Sequence, residues 1–441
     1  MSLSRLPPLL ASCFLRLAGW LDRRSAARLP LLLLGMLLAH GRRTVTSWFR
    51  PAGITSDFRK GYTTVWACGR RTEAMAYTVL KAVEPLVAGE RLVVGIDDTP
   101  TPRWGPCVEG AGIHHNPTPG PAGDKFLYGH VWVTLAALVK HWDWGTRALP
   151  LHSHLYIRRK DVERMPPDHR VPFHTKLEQA AEQLHWLKRR VNARFTALWA
   201  VVDGAYAKRP FLRAARQEGI IVVGRLACNA ALWCLPEPKP KGRPGPQATY
   251  GKRRTELAKR AGHPQGWQQV RCVQYRQEVV KTIKTFLATW HPAGGLIRVV
   301  LVQEEDEWRA YFCTDPGATP EEIPEAVADR GALEETFKDV KEVWGAGQQQ
   351  VRNRHASVGC FNLNGWMYSL VEAWSWEQPE EALVDRQASP WDEEYRRPSH
   401  ADRRKALQRH LLREEIQAVL AGRPTKEEIR NLAERLLELA A

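Results

Sequence analysis

The sequence predicts a mixed α/β protein, with a central run of alternating strands and helices, a β-rich interruption, and helical regions at both ends. Three observations predict it. Apolar runs ending in aspartate recur at 91–97 (RLVVGID) and 197–203 (ALWAVVD), the pattern of short buried strands. Between them, 174–191 places Leu177, Ala181, Leu184, Leu187 and Val191 at helical spacing. Finally, 268–280 and 296–312 are rich in strand-forming residues. A chain of 441 residues is long enough for two to four domains and at least one large core.

Taken in order, 1–88 reads as a helical region. It has apolar stretches near 9–21, 29–38 and 74–86, and carries thirteen Lys and Arg residues. The run 29–38 falls short of the roughly 20 residues that span a bilayer, so it reads as a buried helix. The segment 89–226 is the first part of the α/β core. Its strands fall at 91–97, 130–141, 147–157, 197–203 and 220–226, with helices at 174–191 and 208–218 and a Gly/Pro-rich loop at 104–123. The segment 227–316 is a basic β-rich insertion: 236–281 holds eleven basic residues against three acidic ones. From Thr319 the T-P-E-E sequence reads as a capping box with proline at the first helical position. The helix it starts is expected to run to Trp344 and stop at Gly345-Ala346-Gly347, completing the core over 317–360. Residues 361–441 form the C-terminal region, with helices at 401–421 and 426–440. The second is capped by Thr425 with Glu428 three residues on. Near-neutral and amphipathic, these two suit packing or dimerisation.

Composition narrows the function. Apolar residues make up 44% and charged residues 25%, which excludes wholesale disorder and a multi-pass membrane protein. The 64 basic and 48 acidic residues leave +16, which favours a polyanionic partner, most simply nucleic acid. Eight scattered cysteines form no CxxC pair and suit reduced, mostly buried thiols in the cytoplasm, Cys228 and Cys234 among them. There is neither an HExxH nor a phosphate-binding glycine loop.

The chemistry-bearing residues are acidic. Asp97, Asp98 and Asp203 end the two apolar strands, and strand ends of open α/β sheets face the crevice where ligands bind. In the expected helix, Arg330, Glu334, Phe337 and Lys341 fall on one side, flanking an apolar stripe of Leu333, Phe337, Val340 and Trp344. Two aspartates and a glutamate are hard oxygen ligands for Mg²⁺, and paired ions roughly 3.5–4 Å apart can drive phosphodiester chemistry. Arg330 and Lys341 would neutralise DNA phosphate or hold Glu334.

The order IDDT, VVDGAY and R-x3-E-x6-K resembles the DDE-superfamily transposases of bacterial insertion sequences, whose third acid lies in a Y-x2-R-x3-E-x6-K signature. The neighbouring CTDPGATPEEIPEAVADR and GAGQQQVRNR also look familial, and the similarity covers about 90–360. The resemblance implies an RNase H-like core split by a β-rich insertion before its last helix. It further implies a metal-binding triad of Asp97, Asp203 and Glu334, with Asp98 as the register alternative to Asp97. Mg²⁺ is the expected cofactor, replaceable by Mn²⁺. The expected partners are double-stranded DNA, as terminal inverted repeats and as target, and a second copy of the chain. The expected place is the cytoplasm, on the nucleoid, with no membrane partner. Two departures stand out: Val327 where the signature has tyrosine, and Gly331 where relatives frequently have tryptophan. They leave open a DNA-binding protein whose catalytic site has decayed, beside a nuclease without strand transfer.

Other residues have weaker patterns. Lys239, Lys241, Arg243, Lys252, Arg253 and Arg254 suit a DNA groove. Arg42, Arg43, Arg50, Arg59, Lys60, Arg70 and Arg71 suit recognition of element ends. Residues 110–130, with His114, His115 and His130, read as a flexible loop over the site, and Trp199 and Trp344 as core.

Overall fold

The computed structural model describes residues 3–54, 56–115, 125–240, 244–305, 307–386, 391–393, 395–422, 424–427, 429–430, 432–433 and 436. Five helices open the chain: α1 (Pro8–Ala18), α2 (Arg23–Leu38), α3 (Val45–Phe49), α4 (Arg59–Gly69) and α5 (Thr72–Val83). The apolar run 29–38 lies in α2 and is buried throughout but for one residue. Asp22 caps that helix by accepting from the Arg24 and Ser25 N–H groups. Among the described residues no helix is long and apolar enough to cross a membrane.

The core elements are β1 (Arg91–Pro102), β2 (Gly112–His115), β3 (Phe126–His141), β4 (Gly145–Tyr156), α6 (Arg159–Arg164), α7 (Lys176–Arg190), β5 (Ala197–Val202), α8 (Arg209–Gln217) and β6 (Ile221–Leu226). Their sheet order is β4-β3-β1-β5-β6, with β1, β5 and β6 parallel and β3 antiparallel to both neighbours. This is the RNase H-like arrangement that the resemblance implies. Strand β2 pairs the first residues of β3, so 112–115 is a sheet edge rather than loop. Residues 116–124 of the expected loop lie outside the described ones.

The basic segment contributes β7 (Leu232–Trp233), β8 (Arg254–Thr255), α9 (Leu257–Gly262), β9 (Gln268–Gln274), β10 (Gln277–Trp290), β11 (Gly295–Gln303) and β12 (Trp308–Cys313). Its strands extend the core sheet, because β12 pairs antiparallel with β6 (Ala310↔Leu226), and β11, β10, β7 and β8 follow in order.

The chain then forms α10 (Glu322–Arg330), α11 (Ala332–Glu342), α12 (Arg354–Ser375), α13 (Glu380–Leu383) and α14 (His400–Ala421). Two expectations change here. The single helix from Thr319 is two helices meeting at Gly331, where a residue without Cβ lowers helix stability by about 1 kcal/mol. Only half of the expected capping box forms, the Thr319 N–H donating to the Glu322 carboxylate at 3.0 Å, and the helix begins beyond Pro320. The expected helix at 426–440 lies largely outside the described residues, Glu428 included.

No helix was expected over 354–375, yet α12 is the spine of the molecule. It is buried from Gly359 to Ala373 on every side, so its sequence has no polar face to reveal a period. Several of its polar side chains bind the backbone of β4, while Ser357 Oγ and Asn364 Oδ1 are buried without a hydrogen bond among the described residues. The Asn362 amide exchanges two hydrogen bonds with the Ser153 backbone (2.9 and 3.0 Å), and Trp366 Nε1 donates to Leu151 O at 2.7 Å. Helix α4 crosses α12 at glycines: a Cβ on Gly69 would stand 1.8 Å from His355 O, and one on Gly359 2.0 Å from Val65 O. Gly359→Ala is therefore expected to destabilise the fold by about 1–3 kcal/mol in urea unfolding. Gly262→Ala, with nothing within 4 Å, should change stability little.

Glu372 on α12 is fully buried in an ionic knot. Arg147 Nε and Arg403 Nη1 donate to its oxygens at 3.1 and 2.9 Å, and His400 Nδ1 lies at 2.6 Å. Trp344 Nε1 donates to His400 Nε2 at 2.7 Å, so the imidazole is neutral with its proton on Nδ1. Through these contacts α14 packs onto α12. It also seals the end of α2, where Arg404 and Gln408 donate to Leu37 O. Burial pushes His400 down to about 4, against the pull of Glu372. Burial alone would raise Glu372, but Arg147, Arg403 and His400 hold it well below the usual carboxylate range. Both groups bind protons more readily in the unfolded chain. Stability is therefore expected to be full above about pH 6.5 and to fall as pH drops toward 4, read as a falling urea midpoint.

Candidate active site

Strands β1 and β5 are paired from Arg91↔Ala197 to Ile96↔Val202, and Asp97 and Asp203 each take the next position. Strand β6 continues the row: Val202 faces Gly224, so Asp203 is followed by Arg225, which faces Tyr311 on β12. Asp97, Asp203, Arg225 and Tyr311 thus occupy one row across four neighbouring strands, about 4.8 Å apart at the backbone and on one face of the sheet.

Helix α11 covers that face. Gly95, two residues before Asp97, has no side chain because a Cβ would stand 2.8 Å from Leu333 Cδ1. Two residues after Asp97, Thr99 Oγ1 accepts from Lys341 Nζ at 3.0 Å. Between them, Arg330 Nη1 donates to Asp97 Oδ2 at 2.6 Å. The aspartate doublet is therefore split by strand alternation. Asp97 shares the face of Arg330 and α11, whereas Asp98 points the other way, to Lys176 Nζ (2.7 Å) and the Tyr206 hydroxyl (3.2 Å).

Burial pushes the Asp97 carboxyl up to about 6 against the pull of Arg330, and the charges of Asp203 and Asp98 push the same way. Burial likewise raises the Tyr206 phenol, helped by Asp98 and Asp97, so it stays a hydrogen-bond donor. Asp203 accepts from the Ala205 and Tyr206 N–H groups through Oδ1 alone, at 2.9 and 3.3 Å. Glu334 is exposed on α11, and among the described residues its carboxylate has no hydrogen bond or ion pair.

Asp203, Arg330 and Glu334 line one open cavity of about 740 Å³. Its other walls carry Arg225, Lys281, Arg309, Glu304, Tyr275 and Tyr311. Tyr275 and Arg276 form the two-residue tip of the β9–β10 hairpin at φ 50° and 71°, a left-handed turn held by non-glycine residues. That tip leans over Gly331, where a Cβ would stand 3.5 Å from Tyr275 Cε1. Val327, at the position of the signature tyrosine, lines the same cavity.

The sequence-predicted residues divide. Asp203, Glu334 and Arg330 line the cavity, and Asp97 adjoins it through its ion pair with Arg330; Asp98 faces the other side of β1, and Lys341 lies further along β1 at Thr99. Lys252, Arg253 and Arg254 are exposed at β8, six strands from β5, and line none of it; Lys241 and Arg243 lie outside the described residues. His130 is buried between Arg103 Nε (3.1 Å) and Glu109 O (3.0 Å), a structural role. Trp199 and Trp344 are core, as expected. Five cysteines are buried, but Cys107 and Cys228 are exposed. The residues that went unnoticed are Arg225, Lys281, Arg309 and Tyr275. Only Arg225 carried a signal, a base inside the apolar run IIVVGRL.

The oxygen donors suit a hard divalent cation: Asp97 is a half-buried carboxylate paired with a cation, and Asp203 keeps one oxygen unpartnered beside it. As placed, the acids do not converge, for among the described residues no three His, Cys, Asp or Glu side chains form a metal-holding group. Residues 16–291, a span that contains Asp97 and Asp203 but ends before Glu334, match the DDE superfamily endonuclease family. No curated protein matches the chain. Endonucleases of this superfamily act on DNA with divalent metal ions. With 276 of its 441 residues matched (16 to 291), the chain belongs to the DDE superfamily endonuclease family.

Proposed function

We propose that the chain is a transposase that binds the ends of a mobile element, cleaves DNA there by two-metal phosphodiester hydrolysis, and joins the freed 3′-hydroxyl to target DNA. The observation that carries the reading is the neighbouring position of Asp97 and Asp203 on parallel strands, beside a cavity that Glu334 lines. Asp97, Asp203 and Glu334 would hold Mg²⁺, with Mn²⁺ able to replace it. A metal held there would supply Lewis-acid activation of water or a 3′-hydroxyl and charge stabilisation of the leaving oxygen.

The protein's own groups do the rest. Arg330 neutralises Asp97 and presents positive charge to the cavity where a phosphate enters. Lys341 acts through Thr99, pinning α11, and hence Glu334, to β1. Lys176 and Tyr206 fix Asp98 and so this part of β1. Lys252, Arg253 and Arg254 would grip flanking duplex far from the reacting bond. The helical region 1–88 reads element ends, and two copies of the chain bring two ends together.

The test uses DNA carrying the gene's own flanking ends, with Mg²⁺ or Mn²⁺. Asp97→Asn, Asp203→Asn and Glu334→Gln should each slow cutting at least about 10³-fold, the several kcal/mol that metal catalysis supplies. DNA binding should persist in all three. Asp98→Asn removes the charge that Lys176 pairs with and one acceptor oxygen, but no cavity oxygen, so a milder loss of about tenfold is expected. Joined products distinguish a transposase from a nuclease without strand transfer. A wild-type chain that binds these ends without cutting them, or cutting that survives Asp203→Asn, would contradict the proposal.

A further inference from the structure

We infer that Arg225 grips the phosphate of the reacting DNA strand, and that Arg309 and Lys281 continue the strand's path over the β-rich segment. This assigns the substrate contacts of the site just proposed and rests on that reading.

Four observations carry it. Arg225 is the next residue in the row after Asp97 and Asp203, on the same sheet face, one strand spacing from Asp203. It is exposed between buried Gly224 and Leu226, and among the described residues its guanidinium forms no hydrogen bond or ion pair. The other cavity cations are engaged: Arg330 with Asp97, Lys281 with Glu304 (3.2 Å), and Arg309 with Glu307 (2.9 Å). Strand geometry also aligns the three bases. Arg225 faces Tyr311 across β6–β12, Arg309 stands two residues along β12 on the same face, and Lys281 lies further on, at β10.

Charge explains why such a ledge is needed. Asp203, Glu304 and Glu334 on the cavity wall would repel a polyanion, and Arg225, Lys281, Arg309 and Arg330 offset them. An unpaired guanidinium presents a fork of N–H donors that matches two phosphate oxygens, which a lysine cannot reproduce. The ledge runs over four neighbouring strands, from β6 to β10, a path suited to an extended phosphodiester strand rather than a small anion.

The experiment measures binding of the full chain to DNA carrying the gene's ends across a salt series, together with cleavage kinetics. Arg225→Ala should lower the log–log salt slope by about 0.9, one lost phosphate contact, with an unchanged melting temperature. It should cut kcat/KM by about 10–100-fold, the loss of a charge-assisted contact of about 1.5–3 kcal/mol. Arg225→Lys should restore the slope but only part of the cleavage, an outcome that a merely structural role would not give. A slope and a cleavage rate that both match wild type would overturn the inference while leaving the proposed function intact. If the wild type binds without cutting, the proposed function fails, and the slope alone still upholds or overturns the Arg225 contact.

Discussion

Two parallel strands in register hold the site together. Strands β1 and β5 pair through six successive positions, and each ends its buried run on an aspartate. The sheet therefore brings Asp97 and Asp203 side by side, although more than a hundred residues separate them in the chain. Like charges so close in a half-buried place are unfavourable unless a cation intervenes. Arg330 supplies that cation at 2.6 Å, and even so burial leaves the Asp97 carboxyl at about 6. Helix α11 lies over this face with Leu333 packed against the strand at Gly95.

The rest of the molecule keeps those helices in place. Helix α12 packs on β4, binding its backbone through Asn362 and Trp366, and Glu372 ties Arg147 of β4 to His400 and Arg403 of α14. Arg147 also reaches Glu335, the neighbour of Glu334, at 3.1 Å. A buried carboxylate with this many partners is costly to break, since removing one member leaves uncompensated charge. The same knot thus anchors α14 and, through the Arg147–Glu335 ion pair, links it to α11.

Much of this was legible in the sequence, and the remainder was hidden for physical reasons. Apolar runs ending at Asp97 and Asp203 announce buried strands, because a strand buried on both faces needs no alternation. The α7 helix announces itself by amphipathic spacing, since one face meets solvent. Helix α12 has no such face and so no period. The choice between Asp97 and Asp98 turns on which side of β1 is covered by α11, a tertiary fact. Lys252, Arg253 and Arg254 stand out in composition yet lie six strands from β5. Arg225, Lys281 and Arg309 meet through antiparallel pairings that no local pattern encodes. Gly331 was visible as a weak point in a helix, and there the chain divides into α10 and α11.

The claim at the centre of the account is that Asp97 and Asp203, rather than Asp98, share a divalent cation. Calorimetric titration of the full-length protein with Mn²⁺ tests it without any DNA. The account predicts that Asp97→Asn and Asp203→Asn each abolish the binding heat, while Asp98→Asn retains it. Undiminished Mn²⁺ binding by Asp97→Asn, or its loss on Asp98→Asn alone, would contradict the account.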